Sequence, residues 1–147
     1  MKKILCSALL MAMLSASSAF AAGVGNAFAT EELIGESTLV GMLGNGSRAS
    51  VVANFVPEMA NKFTDDLYGQ HIAKLRQDFG TVTNLRLLSA VRGYEGNGYR
   101  FDRLQFIANS SAKGMMLVDV AFVPVGKTFK IAAIGFAPAQ MQQPAKK

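Results

Sequence analysis

From Thr81 to Pro138 apolar and polar residues alternate in four runs separated by short turn-forming stretches, whereas from Thr30 to Phe79 the apolar residues recur at three- and four-residue spacings. The first pattern predicts strands, the second helices. In "TEELIGESTLVGML", residues 30 to 43, Leu33, Ile34, Leu39, Val40 and Leu43 fall near helical spacing, and Glu31 and Glu32 stand where a helix dipole favours anions. "GNGS" at 44 to 47 interrupts this helix. Arg48 to Phe55 is a second, short helical candidate, and Val56-Pro57 begins a connector. Thr64, followed by Asp65 and Asp66, is a capped start for a third helix. There Tyr68, Ile72, Leu75 and Phe79 make one apolar stripe at i, i+4, i+7 and i+11, and Gly80 ends it.

The strand runs are "VTNLRLLSAVRGY", "YRFDRLQFIA", "MMLVDVAFVP" and "TFKIAAIGFAP". The turns "EGNG", "NSSAKG" and "VGK" between them are short enough for antiparallel hairpins, so the four form a meander. Met116, Val118, Val120 and Phe122 are expected to face the helices, with Leu117, Asp119, Ala121 and Val123 on the opposite face. Tyr99 and Phe101 share a parity that Leu104 and Phe106 do not, which predicts a bulge or strong bend near Arg103. Helices followed by a meander, without strand–helix–strand alternation, give an α+β fold: N-terminal helices on a bent four-stranded antiparallel sheet.

The start of the chain changes the compartment. "MKKILCSALLMAMLSASSAFAAG" has two lysines, an apolar run from Ile4 to about Leu14, and an Ala19-Phe20-Ala21 cleavage site. It reads as a signal peptide over residues 1–21, which places the mature chain in the periplasm or outside the cell and leaves no stable membrane span after cleavage. Residues 22–29 then form a lead-in, 30–138 a single domain, and 139–147 a polar, disordered tail. Cys6 leaves with the leader, so the domain is expected to hold together by its core alone. Lys2 and Lys3 leave too, lowering the formal net charge from +5 to +3. That small excess gives no reason to expect a nucleic-acid partner.

Charge is unevenly placed. Ala27 to Gly80 carries seven acids and four bases, Thr81 to Phe136 three acids and seven bases. Either the solvated faces of two layers simply differ in sign, or a basic sheet face meets an anionic partner. One histidine and no mature cysteine give no soft-ligand cluster, and the acids are too dispersed for a calcium loop, so no metal or cofactor is expected. "GYEGNG" at 93 to 98 lacks the lysine and following helix of a phosphate loop and reads as a tight turn.

The order of elements, the helix ending "LRQDFGTV" before the first strand, and the closing "GKTFKIAAIGFAP" resemble the nuclear transport factor 2-like (cystatin-like α+β) superfamily, in particular small exported bacterial domains. The resemblance spans about Thr30 to Pro138. It implies a cone-shaped helix-on-sheet fold, often with a pocket between sheet and helices, that hosts isomerases, dehydratases, ligand binders and dimerisation or assembly modules. Acid–base chemistry in such a pocket needs a base and an opposing proton donor. The residues of the right type are His71, Asp102, Asp119, Tyr94 and Tyr99. His71 sits at the edge of the third helix's stripe and reads as a packing residue. Asp119 is the only charge in "MMLVDVAFV".

Three functions follow as expectations. The first is a non-catalytic exported binding or assembly domain, using the pocket or the basic sheet face. Its partner is a second copy or an envelope protein, or its ligand a small molecule, and its contact residues are Asp119, Arg86, Arg92, Arg103, Tyr99 and Val123. The second is a component of an envelope or secretion machine. The third is a small pocket enzyme built around Asp119.

Overall fold

In the computed structural model, which describes residues 26–96 and 98–139, a 3-10 turn (Asn26–Phe28) leads into four helices and four strands. The helices are α1 (Ala29–Leu43), α2 (Arg48–Val52), α3 (Pro57–Lys62) and α4 (Asp65–Phe79). The strands are β1 (Val82–Gly96), β2 (Tyr99–Ser110), β3 (Gly114–Val125) and β4 (Thr128–Pro138), paired antiparallel in the order β1-β2-β3-β4. The α+β meander is therefore as the alternation predicts. The leader at 1–21 and residues 140–147 of the tail lie outside the described residues.

Helix α4 forms as its sequence dictates. The Leu67 amide donates to the Thr64 hydroxyl at 3.3 Å, Asp65 and Asp66 occupy the first turn, and Tyr68, Ile72, Leu75 and Phe79 are buried. Gly80 closes it at a φ of 66°. A side chain there would strain the backbone and place a Cβ 2.2 Å from the Ser111 hydroxyl. That hydroxyl accepts from the Thr81 amide at 2.9 Å while Ser110 donates to the Phe79 carbonyl at 2.6 Å, so the helix end is stitched to the β2–β3 turn.

Helix α1 follows the expected stripe in part: Leu39 is buried and Ile34, Val40 and Leu43 pack half-buried against the core, but Leu33 does not. Its buried residues are Glu31, Glu32, Gly35, Thr38, Leu39 and Met42, while Leu33 is 62% exposed. The reason is close approach to the sheet. A Cβ on Gly35 would stand 2.9 Å from the Phe106 ring and 3.4 Å from that of Phe122, so the helix turns its smallest residue, rather than Leu33, toward β2 and β3. Val56-Pro57 also differs: Val56 caps α3, with Pro57 in the first turn, where its missing N–H costs nothing.

The inner sheet face carries Leu104, Phe106, Met116, Val118, Val120 and Phe122, each without solvent exposure. The alternation of β3 thus points as expected. The bulge expected near Arg103 lies beside it on β1, opposite Asp102, and not in β2 itself. Asp102, Leu104, Phe106, Ala108 and Ser110 all point inward, β2 pairs with β3 without a shift, and Tyr99 and Phe101 belong to the outer face. In the β1–β2 pair the irregularities lie on β1, between Thr83 and Arg86, Leu87 and Ser89, and Val91 and Tyr94. Each puts one extra residue on β1 and bends it. At the third, Gly93 takes a φ of 63° and its amide donates to the Asp102 carboxylate at 2.8 Å, so the acid that breaks the apolar pattern of β2 is the one that fastens the bulge.

The loop before α3 grips the free edge of β4. The Val56 amide donates to the Ile131 carbonyl at 2.9 Å and the Ile131 amide to the Asn54 carbonyl at 2.8 Å, forming a parallel bridge between Phe55 and Ile131. Lys130 adds a bond from its Nζ to the Ala53 carbonyl at 2.6 Å.

Candidate functional site

Strand parity places Phe101, Arg103, Gln105 and Ile107 of β2 beside Leu117, Asp119, Ala121 and Val123 of β3 on the face turned away from α1. Val91 and Tyr94 of β1 flank them, 46% and 39% exposed. In the middle of this apolar field sits one polar knot. Gln105 stands opposite Asp119 and Arg103 diagonally from it, the positions from which long side chains reach across a strand pair. The Asp119 Oδ1 accepts from the Arg103 Nε at 2.8 Å and from Gln105 at 3.2 Å, and the Arg103 Nη2 lies 2.7 Å from the same oxygen. The Arg103 guanidinium also covers the Tyr94 ring at 5.3 Å. Both charges are partly solvated, so the pair adds at most about 1 kcal/mol to stability. Its effect is to make the centre of the face electrically neutral.

Arg92 does not share this face. The third β1 bulge turns it to the helix side, where its Nη1 lies 2.9 Å from the Asp102 Oδ2 and its Nη2 3.4 Å from the Glu31 Oε1. It also donates to the Ala27 carbonyl and lies over the Phe28 ring at 4.7 Å. One half-exposed cation thus ties the start of α1 to the bulge across two buried carboxylates. Burial pushes the Glu31 carboxyl above its ordinary value. A backbone hydrogen bond and Arg92 oppose that rise, and Asp102 adds to it. Burial alone raises Glu32, which is 6% exposed and has no cation within ion-pair distance among the described residues.

Of the residues expected to form a contact surface, Asp119, Arg103 and Val123 therefore lie together. Arg86 is at the far end of the same face, opposite Ile107, and Tyr99 is 75% exposed beside the β1–β2 turn. Arg92 belongs to a buried cluster instead. Of the arginines expected on a basic sheet face, Arg103 is neutralised within the chain and Arg92 points the other way, which leaves Arg86 on it. His71 packs edge-on against Phe63, ring centroids 5.6 Å apart, and near Phe136 at 6.4 Å. That is a packing role at the junction of α4 with the sheet. Among the described residues no three His, Cys, Asp or Glu side chains are grouped to hold a metal, and no helix is long and apolar enough to cross a membrane.

No protein-family model matches the chain, and no curated protein matches it significantly.

The acids Glu31 and Glu32 are the residues that reading the sequence misses. Adjacent glutamates in a first helical turn satisfy the helix dipole and look solvated. The one available signal is indirect: Asp102 interrupts the inner parity of β2, and a buried carboxylate demands a cation from elsewhere in the chain.

Proposed function

We propose that the chain is an exported, non-catalytic binding or assembly domain of the nuclear transport factor 2-like type, which associates with a second copy of itself through the outer face of its sheet. The observation that carries this reading is the open face itself, with Val91, Tyr94, Leu117, Ala121 and Val123 around a knot of charges that already satisfy one another. A face whose polar groups are paired within the chain is desolvated at low cost, and apolar residues collected on an open face of this kind mark interfaces. The size fits. Four strands of 11 to 15 residues, at a rise of about 3.3 Å and a spacing of about 4.8 Å, present roughly 800 Å², so that even with the end by the β2–β3 turn left uncovered about the lower range of one partner's share in a stable complex remains. A two-fold arrangement lets the Arg103–Asp119 pair of each copy exchange partners without leaving a charge unmatched. Export rests on the leader pattern of residues 1–21.

An enzyme built around Asp119 has less support, because the Oδ1 of this acid is held by Arg103 and Gln105 on an open surface, away from the helices that would enclose a substrate. Val123→Glu is expected to give a folded monomer and to weaken self-association at least about a hundredfold, since an unpaired carboxylate buried at an interface costs several kcal/mol and almost nothing in solvent. Sedimentation of both proteins at tens of micromolar is the measurement. A wild type that is already monomeric removes the second copy as occupant and leaves an envelope protein of another kind; a variant that assembles equally well removes the face.

A further inference from the structure

The end of the outer face nearest the β2–β3 turn holds a groove that this association does not explain. It has a volume of about 310 Å³, at the small end of the range for ligand sites, and lies over β2 between β1 and the start of β3. Ile107 and Met115 supply its apolar lining, and Asn84, Arg86 and Asn109 its polar groups. No acid lines it.

The groove exists because of the first β1 bulge. Thr83 pairs with Asn109 and Arg86 with Ile107, so two residues, Asn84 and Leu85, stand against Ala108 alone. Asn84 takes up the extra length at a φ of 55°, the one non-glycine residue with a left-handed backbone among those described. Asparagine tolerates this conformation better than most residues, but it remains strained. The consequence is a change of face. Parity carried on from buried Val82 would put Arg86 into the core; the bulge buries Leu85 instead and turns Arg86 outward beside Ile107. The side chains of Asn84, Arg86 and Asn109 make no hydrogen bond or ion pair with other described residues, so one guanidinium and two amides converge on the groove with their donors uncommitted.

We propose that this groove binds a small amphipathic carboxylate, with the carboxylate on the Arg86 guanidinium and the Asn84 and Asn109 amides and the apolar body on Ile107 and Met115. A single planar guanidinium matches a carboxylate in bidentate geometry, whereas a phosphate dianion calls for more positive charge than the groove holds. An amine meets no acceptor of negative charge there. The apolar lining selects against a fully polar anion.

Hexanoate is the probe, titrated into the full chain and followed by the amide resonances of residues 84–86, 107–109 and 115, with hexanamide and hexylammonium as controls. Saturable shifts confined to those residues are expected with hexanoate and not with either control. Arg86→Gln should weaken hexanoate at least about tenfold, the loss of one charge-assisted interaction, while Asn109→Ala weakens it less. Sedimentation of the same samples separates shifts caused by binding from shifts caused by dissociation, so failure of the dimer and failure of the groove are told apart. No saturation by 10 mM (roughly the weakest affinity that would count as a site), equal binding by Arg86→Gln, or equal binding of hexylammonium each overturns the proposal.

Discussion

Arg92→Ala is expected to lower the stability of the domain by about 3 kcal/mol, the low end of the cost of breaking a buried ion pair, because Arg92 is itself half exposed and water replaces part of what it supplies. The remaining cost is that of leaving Glu31 and Asp102 facing each other, 1% and 8% exposed, without a cation. Acid should reverse part of the loss. Glu31 is already raised in the folded chain, so between that raised value and the ordinary 4.5 the native state holds more protons than the unfolded one, and stability grows as the pH falls through this window. Removing Arg92 takes away a group that lowers the Glu31 value, which widens the window. Denaturant unfolding at pH 7.5 and 5.5 should therefore show a smaller penalty for Arg92→Ala at the lower pH. Glu31→Gln combined with Arg92→Ala should recover most of the loss at pH 7.5. A penalty that is the same at both pH values, and unchanged by Glu31→Gln, would mean that Arg92 acts through its contact with Phe28 rather than through charge.

Gly35→Leu should be comparably severe, at about 3 kcal/mol or more, because the added side chain has to enter the space occupied by the Phe106 and Phe122 rings, neither of which has any exposed surface to retreat into. Gly35→Ala is the informative control. Alanine gains up to about 1 kcal/mol of helix propensity and loses about as much or more to a Cβ 2.9 Å from the Phe106 ring. Combining it with Phe106→Leu should cost less than the sum of the two single changes, since one makes room for the other. Strict additivity in melting experiments would show that α1 shifts bodily away from the sheet instead of pressing on that ring.

These two variants also mark where the sequence stops being legible. Helix α4 and strand β3 can be read directly, because the stripe Tyr68, Ile72, Leu75 and Phe79 and the alternation Met116 to Phe122 each bury one uniform face. Helix α1 cannot, because it is apolar on several sides and its contact with the sheet is set by the absence of a side chain at Gly35. The first and third bulges of β1 are similarly hidden: they are decided by the backbone tolerance of Asn84 and Gly93 and, at the third, by Asp102 on the next strand, not by any local run of residues. The outer-face knot was half visible, since Asp119 stands alone in an apolar strand, but its partner Arg103 is fixed only by register. The Glu31–Arg92 contact joins residues 61 apart and leaves no local trace.

The grip of the α2–α3 loop on β4 has a kinetic consequence. Every strand pairs with its neighbour in sequence, so the hairpins close short loops, on the order of microseconds each. Ile131 with Asn54 and Val56, Lys130 with Ala53, and Arg92 with Glu31 instead close loops of up to 77 residues, whose entropy must be lost before they contribute anything. Contacts of that kind are expected to form after the transition state, in which case weakening one speeds unfolding and leaves refolding little changed. For Lys130→Ala the unfolding arm of the chevron should rise while the folding arm stays in place. That result would mean that the sheet sets how fast this chain folds, and the helical half, clasped on late, how long it stays folded.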